Sequence, residues 1–177
     1  MSKPTLATIW LDGCSGCHMS FLDIDERIIQ LAELADIVCS PIVDHKHFPE
    51  HIDIALVEGS VSSDEDEHKI INLRHRTKTL VAFGDCAVTG NVPAMRNPFP
   101  VAALFARAYS ETATLNAQNP AESLPKLLKR TCPVHEIVPV DIYIPGCPPS
   151  ADTIFTVLTD LLAGRTPDIA ALTRFGA

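Results

Sequence analysis

Four short apolar runs, each cut off by a glycine-bearing turn, do most to limit what this chain can fold into. Thr5 to Leu11 ends at Asp12-Gly13, and Ile52 to Val57 ends at Glu58-Gly59. Thr79 to Phe83 runs into Gly84-Asp85-Cys86, and Ile137 to Val140, extending towards Tyr143, precedes Pro145-Gly146-Cys147. Ile37 to Val43 reads as one further strand. Helical segments lie between these runs. His18 to Leu34 carries an apolar repeat through Phe21, Ile24, Ile28, Leu31 and Leu34. Asp64-Glu65-Asp66-Glu67 suits the positive first turn of a helix reaching Arg76. Val101 to Tyr109 and Leu124 to Lys129 read as helices, and Asn91 to Pro100, with three prolines, as an ordered loop. Ser150 is an N-cap for a helix through Ile154, Phe155, Leu158, Leu161 and Leu162, which Gly164 and Pro167 close.

Strands alternating with helices predict an α/β fold, a mostly parallel sheet with helices on both faces. In such folds chemistry collects beyond the carboxyl ends of the strands. The length of 177 residues suits one domain, residues 1–177, with 165–177 as a C-terminal tail and no second domain or internal repeat.

The turns at those strand ends hold Cys14, Cys17, Cys86 and Cys147, so the expected topology gathers cysteines that lie far apart in sequence. Gly13 and Gly16 ease close backbone approach around Cys14-Ser15-Gly16-Cys17, Cys86 sits in a glycine-bounded turn, and prolines stiffen the chain after Cys147. These are properties of a rigid thiolate cage, suited to electron transfer more than to hydrolysis. Four cysteines are compatible with iron–sulfur or with structural zinc. Cys14 and Cys17 alone also suit a redox dithiol, since strand–CxxC–helix is the arrangement of a thioredoxin-type site. Cys39, inside an apolar run, reads as a buried inert thiol. Cys132, before Pro133, has no fixed direction, and both stay outside the cage.

Six cysteines are too sparse for a secreted disulfide scaffold. The start, Met1-Ser2-Lys3-Pro4-Thr5-Leu6, carries no twin-arginine signal or apolar leader, and no run reaches transmembrane length. A cytoplasmic, reduced setting without membrane insertion is expected. The formal charge of −8, from 22 acidic and 14 basic residues, argues against a nucleic-acid partner. His45, His47 and His51 lack a convincing carboxylate partner or a recognised metal-binding spacing, and Lys46 intervenes, so no second metal site is expected there.

Four blocks together resemble a known family: Asp12-Gly13-Cys14-Ser15-Gly16-Cys17, Val57-Glu58-Gly59-Ser60, Gly84-Asp85-Cys86 with Gly90, and Pro145-Gly146-Cys147-Pro148-Pro149. The chain resembles the small subunit of nickel–iron hydrogenases, in the short form found in cytoplasmic NAD-reducing enzymes. The resemblance implies a flavodoxin-like fold in which Cys14, Cys17, Cys86 and Cys147 hold one proximal 4Fe-4S cluster. It implies a large subunit carrying the nickel–iron centre, and diaphorase subunits carrying iron–sulfur clusters, FMN and the NAD site. The assembly would oxidise hydrogen, and this chain would relay electrons without a catalytic centre of its own. A quinone-reductase relative begins its motif with adjacent cysteines, and the two residues between Cys14 and Cys17 favour the hydrogenase side. No cysteine follows Cys147, so a single cluster is expected, with electrons leaving through another protein.

By the same resemblance Glu58 lies near the cluster and the subunit interface. Proton movement, cluster positioning, a helix cap and an interface ion pair all suit it. His18 suits the cluster's surroundings or a helix cap. Asp12 and Asp85 are expected to shape turns. Flavin is not expected on this chain, because Cys14 and Cys17 replace the hydroxyl-rich phosphate loop after the first strand. Val92-Pro93-Ala94-Met95 and Pro98-Phe99-Pro100 suit either a large-subunit contact or an internally packed loop.

Overall fold

Runs of apolar residues without alternation need cover on both sides, and helices packed on both faces of a five-stranded parallel sheet supply it. The computed structural model describes residues 3–120 and 122–173. Strands β1 (Thr5–Trp10), β2 (Asp36–Cys39), β3 (Ile52–Glu58), β5 (Thr77–Phe83) and β7 (Ile142–Ile144) pair in the order β2-β1-β3-β5-β7, all parallel. This flavodoxin-like order reverses direction between β1 and β3, and the crevice at such a switch point is where ligands bind. The register sets Trp10 beside Glu58 and Phe83 beside Ile144. The strand ends that launch the cysteine and glutamate turns are therefore level.

On one face Leu6, Leu56, Val81 and Phe83 bury Phe21 of α1 (Gly16–Leu22), Leu31 of α2 (Arg27–Leu34), and Ile154, Val157 and Leu158 of α7 (Ala151–Leu162). On the other, Ala7, Ile9, Ala55, Val57 and Leu80 bury Ile70 and Leu73 of α3 (Asp64–Arg76). Each fully buried Leu, Ile or Phe stabilises by about 1.5–3 kcal/mol. α3 begins with a reciprocal cap, in which Ser63 Oγ accepts from Asp66 N at 3.1 Å and Asp66 Oδ2 accepts from Ser63 N at 3.0 Å. Its acidic first turn and basic last turn, Arg74, His75 and Arg76, match the helix dipole. Ser150 caps α7 as its sequence predicts.

The remaining pieces are short: α4 (Asp85–Thr89), α5 (Asn91–Ala94), α6 (Val101–Phe105) running into a π-helical turn at Ala106–Glu111, and α8 (Ile169–Leu172). β4 (Val61–Ser63) and β6 (Leu127–Cys132) form a separate antiparallel pair. No helix among the described residues is long and apolar enough to cross a membrane.

Several boundaries depart from the sequence pattern. The helix expected over His18 to Leu34 is two, broken where Asp25 adopts φ 62°, a left-handed conformation that a short acidic side chain tolerates, and the break lets Ile24 drop into the core. Leu124 to Lys129 is not a helix. From Leu127 the chain is extended, because pairing with β4 overrides local propensity. The second strand stops at Cys39, before Ser40-Pro41. The last strand starts at Ile142, and the preceding Val134–Glu136 is a 3-10 turn that buries Val134 against the second core.

Candidate functional site

The loops after β1 and β3 are zipped together. Leu11 N donates to Glu58 O at 2.8 Å, while Asp12 and Ser60 exchange backbone bonds at 3.0 and 2.8 Å. Gly59, at φ 88°, lets them meet, since a Cβ there would stand 2.8 Å from Leu11 C. The next residues start α1 without a cap of their own. Ser15 is left-handed, at φ 62°, and its side chain caps nothing. The buried amides of the first turn lack an intrahelical acceptor, and Glu58 reaches across from β3 to supply one. Its Oε1 accepts from Cys17 N at 3.1 Å and its Oε2 from His18 N at 3.0 Å.

The same carboxylate is bonded to His18 Nδ1, and His18 Nε2 lies 2.9 Å from Thr8 Oγ1, which lies 2.7 Å from Ser40 Oγ. All four residues are buried. An imidazole protonated on Nδ1 satisfies the whole series: Nδ1–H donates to Glu58, Nε2 accepts from Thr8, and Thr8 accepts from Ser40. Trp10 and Phe83 hold the ring edge-on, with centroids 5.4 and 5.6 Å away.

Two further loops meet this pair. Gly84 N donates to Ile144 O and Asp85 N to Gly146 O, both at 2.8 Å, and Asp85 Oδ1 accepts from Gly146 N at 2.7 Å. Ser20 Oγ donates to Pro149 O at 2.6 Å, tying α1 to the loop after Cys147. Cys14, Cys86 and Cys147 then line a cleft of about 310 Å³ with Asp12, Gly13, Asn91, Val92 and Pro93. Glycines make room for sulfur around it. A Cβ on Gly84 would lie 2.2 Å from Cys17 Sγ, and one on Gly16 would lie 3.2 Å from Cys14 Sγ.

All six cysteines are free thiols. Cys17 is buried, Cys86 half-buried, and Cys14 and Cys147 exposed. Burial raises the Cys17 thiol far above its ordinary range, reinforced by the charge of Glu58 and by Cys86, Cys14 and Cys147. Cys86 is pushed up to about 11, first by burial and then by Cys147, Cys14 and Glu58. The four sulfurs therefore stand close enough to repel one another as thiolates. Among the described residues, no group of three or more His, Cys, Asp or Glu forms a site for a single metal ion. Cys14, Cys86 and Cys147 stand around the cleft, and Cys17 is buried against Gly84.

The structure thus brings together Cys14, Cys17, Cys86, Cys147 and Glu58. Cys39 lies at the end of β2 in the second core, and Cys132 at the end of β6, where burial and then Glu136 raise its thiol. His51 does have a carboxylate partner, Asp53, two residues on along β3 and away from the cleft. Of the two turn-shaping acids, Asp85 acts through its carboxylate, whereas Asp12 acts through its backbone. Val92 and Met95 are exposed beside the cleft, and Phe99 is exposed as well. Thr8, Ser40 and Asn91 escape sequence reasoning. The sole signal for Thr8 is a hydroxyl within an apolar strand, and Asn91 follows a glycine in what reads as a loop.

Residues 14–161 match the family model described as the 20 kDa subunit of NADH ubiquinone oxidoreductase. The chain is similar to the delta subunit of the NAD-reducing hydrogenase HoxS of Cupriavidus necator, with 42% identity over 94% of this chain and 82% of that protein. It is 37% identical to a subunit of the vhu F420-non-reducing hydrogenase of Methanocaldococcus jannaschii, over 91% of this chain. It spans 57% of the length of that methanogen protein. Among solved structures, a chain of the NAD+-reducing [NiFe]-hydrogenase in the H2-reduced state superposes with a TM-score of 0.93 and 42% identity, covering 98% of this chain and 99% of that one.

Proposed function

This chain belongs to the family of the 20 kDa subunit of NADH ubiquinone oxidoreductase, and on that premise we propose that it is the electron-transferring small subunit of a cytoplasmic NAD-reducing nickel–iron hydrogenase. In this reading Cys14, Cys17, Cys86 and Cys147 hold one 4Fe-4S cluster. A large subunit carries the nickel–iron centre, and diaphorase subunits carry iron–sulfur clusters, FMN and the NAD site. The similarity to the Cupriavidus protein and to the superposed hydrogenase supports that assembly.

One observation carries the cluster assignment: thiols from three sequence-distant turns meet at one cleft, Cys14, Cys86 and Cys147 lining it and Cys17 buried against Gly84. A dithiol enzyme would need Cys14 and Cys17 alone and gives no reason for Cys86 and Cys147 to stand there. Crowded, partly dry thiols keep their protons unless a cationic group replaces them, and a group larger than one ion suits sulfurs arranged around a space. When bound, such a cluster takes up and passes on one electron at a time. The chain's own residues hold the ligands still: Glu58 fixes the first turn of α1, His18 braces Glu58, and Asp85 locks the Cys86 turn to the Cys147 turn. In this reading Glu58 is a positioning residue through its capping bonds.

The test uses the complex purified anaerobically. Iron and acid-labile sulfide are assayed, and a reduced-minus-oxidised paramagnetic resonance spectrum is compared with that of the Cys86→Ser complex. The expected result is a cluster signal lost with Cys86. About one zinc per chain, with a spectrum that Cys86→Ser leaves unchanged, would sink the assignment.

A further inference from the structure

Asn91 stands at the cleft with a positive φ of 32°, directly after Gly90 at φ 85°. A residue with a Cβ rarely adopts that conformation, and glycine would meet the backbone requirement at lower cost. What the side chain adds is a hydrogen-bond donor. Asn91 Nδ2 lies 3.4 Å from Cys147 Sγ across 56 residues of sequence, in the cleft that Cys14 and Cys86 also line. The position is fixed from behind, since Gly90 N is bonded to Cys86 O at 3.0 Å. The residue before Asn91 is therefore tied to the backbone of a second cysteine that lines the cleft.

An N–H pointed at sulfur favours whichever charge state puts more negative charge on that sulfur. Adding an electron to a thiolate-bound cluster spreads charge onto its ligands, so the amide stabilises the reduced form. Glu58, a carboxylate behind Cys17, acts in the opposite sense from the buried side. The two residues bracket the ligand set with opposite signs.

We propose that Asn91 sets the reduction potential of the cluster, raising it by donating from its side-chain amide to the sulfur of Cys147. The proposal rests on the cluster reading above. The step concerned is the entry of one electron, with no bond made or broken and no proton required, and dithionite supplies the electron in the test.

Two variants isolate the donor. Asn91→Gly keeps the backbone conformation and deletes the amide, and Asn91→Asp keeps the shape and replaces the donor by a carboxylate oxygen. Both are prepared in the anaerobically purified complex, assayed for iron and sulfide, and titrated by paramagnetic resonance on the signal that Cys86→Ser removes. The midpoint is expected to fall in Asn91→Gly and to fall further in Asn91→Asp, with iron and sulfide unchanged in Asn91→Gly. If Asn91→Asp loses its cluster, Asn91→Gly decides alone. A midpoint in Asn91→Gly equal to that of the unaltered complex overturns the proposal while leaving the cluster reading intact. Loss of iron from Asn91→Gly overturns it too, by showing a role in holding rather than tuning. Absence from the unaltered complex of any signal that Cys86→Ser removes overturns the cluster reading itself, and this proposal with it.

Discussion

The carboxylate of Glu58 accepts the backbone amide of Cys17 at 3.1 Å, although 41 residues separate them. A helix that starts at a left-handed serine has no cap of its own, and the end of the neighbouring strand provides one. The consequence is mechanical, because the turn that presents Cys14 and Cys17 is fastened to β3 rather than left to its own flexibility.

Replacing Glu58 by alanine leaves Cys17 N, His18 N and the imidazole without their acceptor in a buried setting. The expected loss is about 3 kcal/mol, at roughly 1 kcal/mol for each bond. Glutamine keeps one acceptor oxygen, and its cost is about 1 kcal/mol. Urea unfolding of the chain measures both, and equal losses in the two variants would contradict the capping role.

Thr8→Val removes the hydroxyl between His18 Nε2 and Ser40 Oγ with little change of shape. Stability is expected to fall by about 2 kcal/mol, since two buried polar groups lose a partner. Combined with His18→Leu, the losses should be non-additive by about 1 kcal/mol in a double-mutant cycle. Strict additivity would mean that the two residues do not act through each other.

Gly84→Ala places a methyl group 2.2 Å from Cys17 Sγ at φ 86°. The sulfur must move, so iron and sulfide in the purified complex are expected to fall by about one cluster relative to the unaltered complex, with loss of the signal that Cys86→Ser removes. Gly164→Ala is the control. Its φ is 71° but no heavy atom lies within 4 Å of the added Cβ, so it should cost about 1 kcal/mol of backbone strain and leave the iron content unchanged.

Stability of the metal-free chain should fall in alkaline solution. Cys86 is raised from 9.0 to about 11 by burial and by neighbouring thiols. Above pH 9.0 the unfolded chain sheds a proton that the folded chain retains, so the unfolded state binds fewer protons and stability declines as pH rises. Below that pH the contribution is constant. Urea midpoints should stay level to about pH 9 and then drop, less steeply in Cys86→Ser. A rise above pH 9, or the same slope in both chains, would contradict the thiol assignment.

The parallel sheet and the edge at which its chemistry gathers were legible in the sequence, because each strand is a buried apolar run closed by a glycine turn. Local pattern failed where partners lie far away. Leu127 to Cys132 becomes a strand only because Val61–Ser63, three residues long, lies beside it. The break at Asp25 follows from the depth at which Ile24 must sit, and nothing between Asp23 and Glu26 announces it.

By itself the sequence determined which thiols are available and that each leaves a strand end, since turn chemistry and apolar runs are local properties. Tertiary structure decided what surrounds those thiols. Glu58 became a cap because the register of β1 with β3 brings Trp10 level with Glu58, a pairing that no local signal encodes. His18, Thr8 and Ser40 joined into one buried series because three strands and α1 share one face. Asn91 met Cys147 because the loops after β5 and β7 are bonded through Asp85 and Gly146. Thiols are chosen residue by residue, but their environment is set by how parallel strands align, and that alignment is a property of the whole sheet.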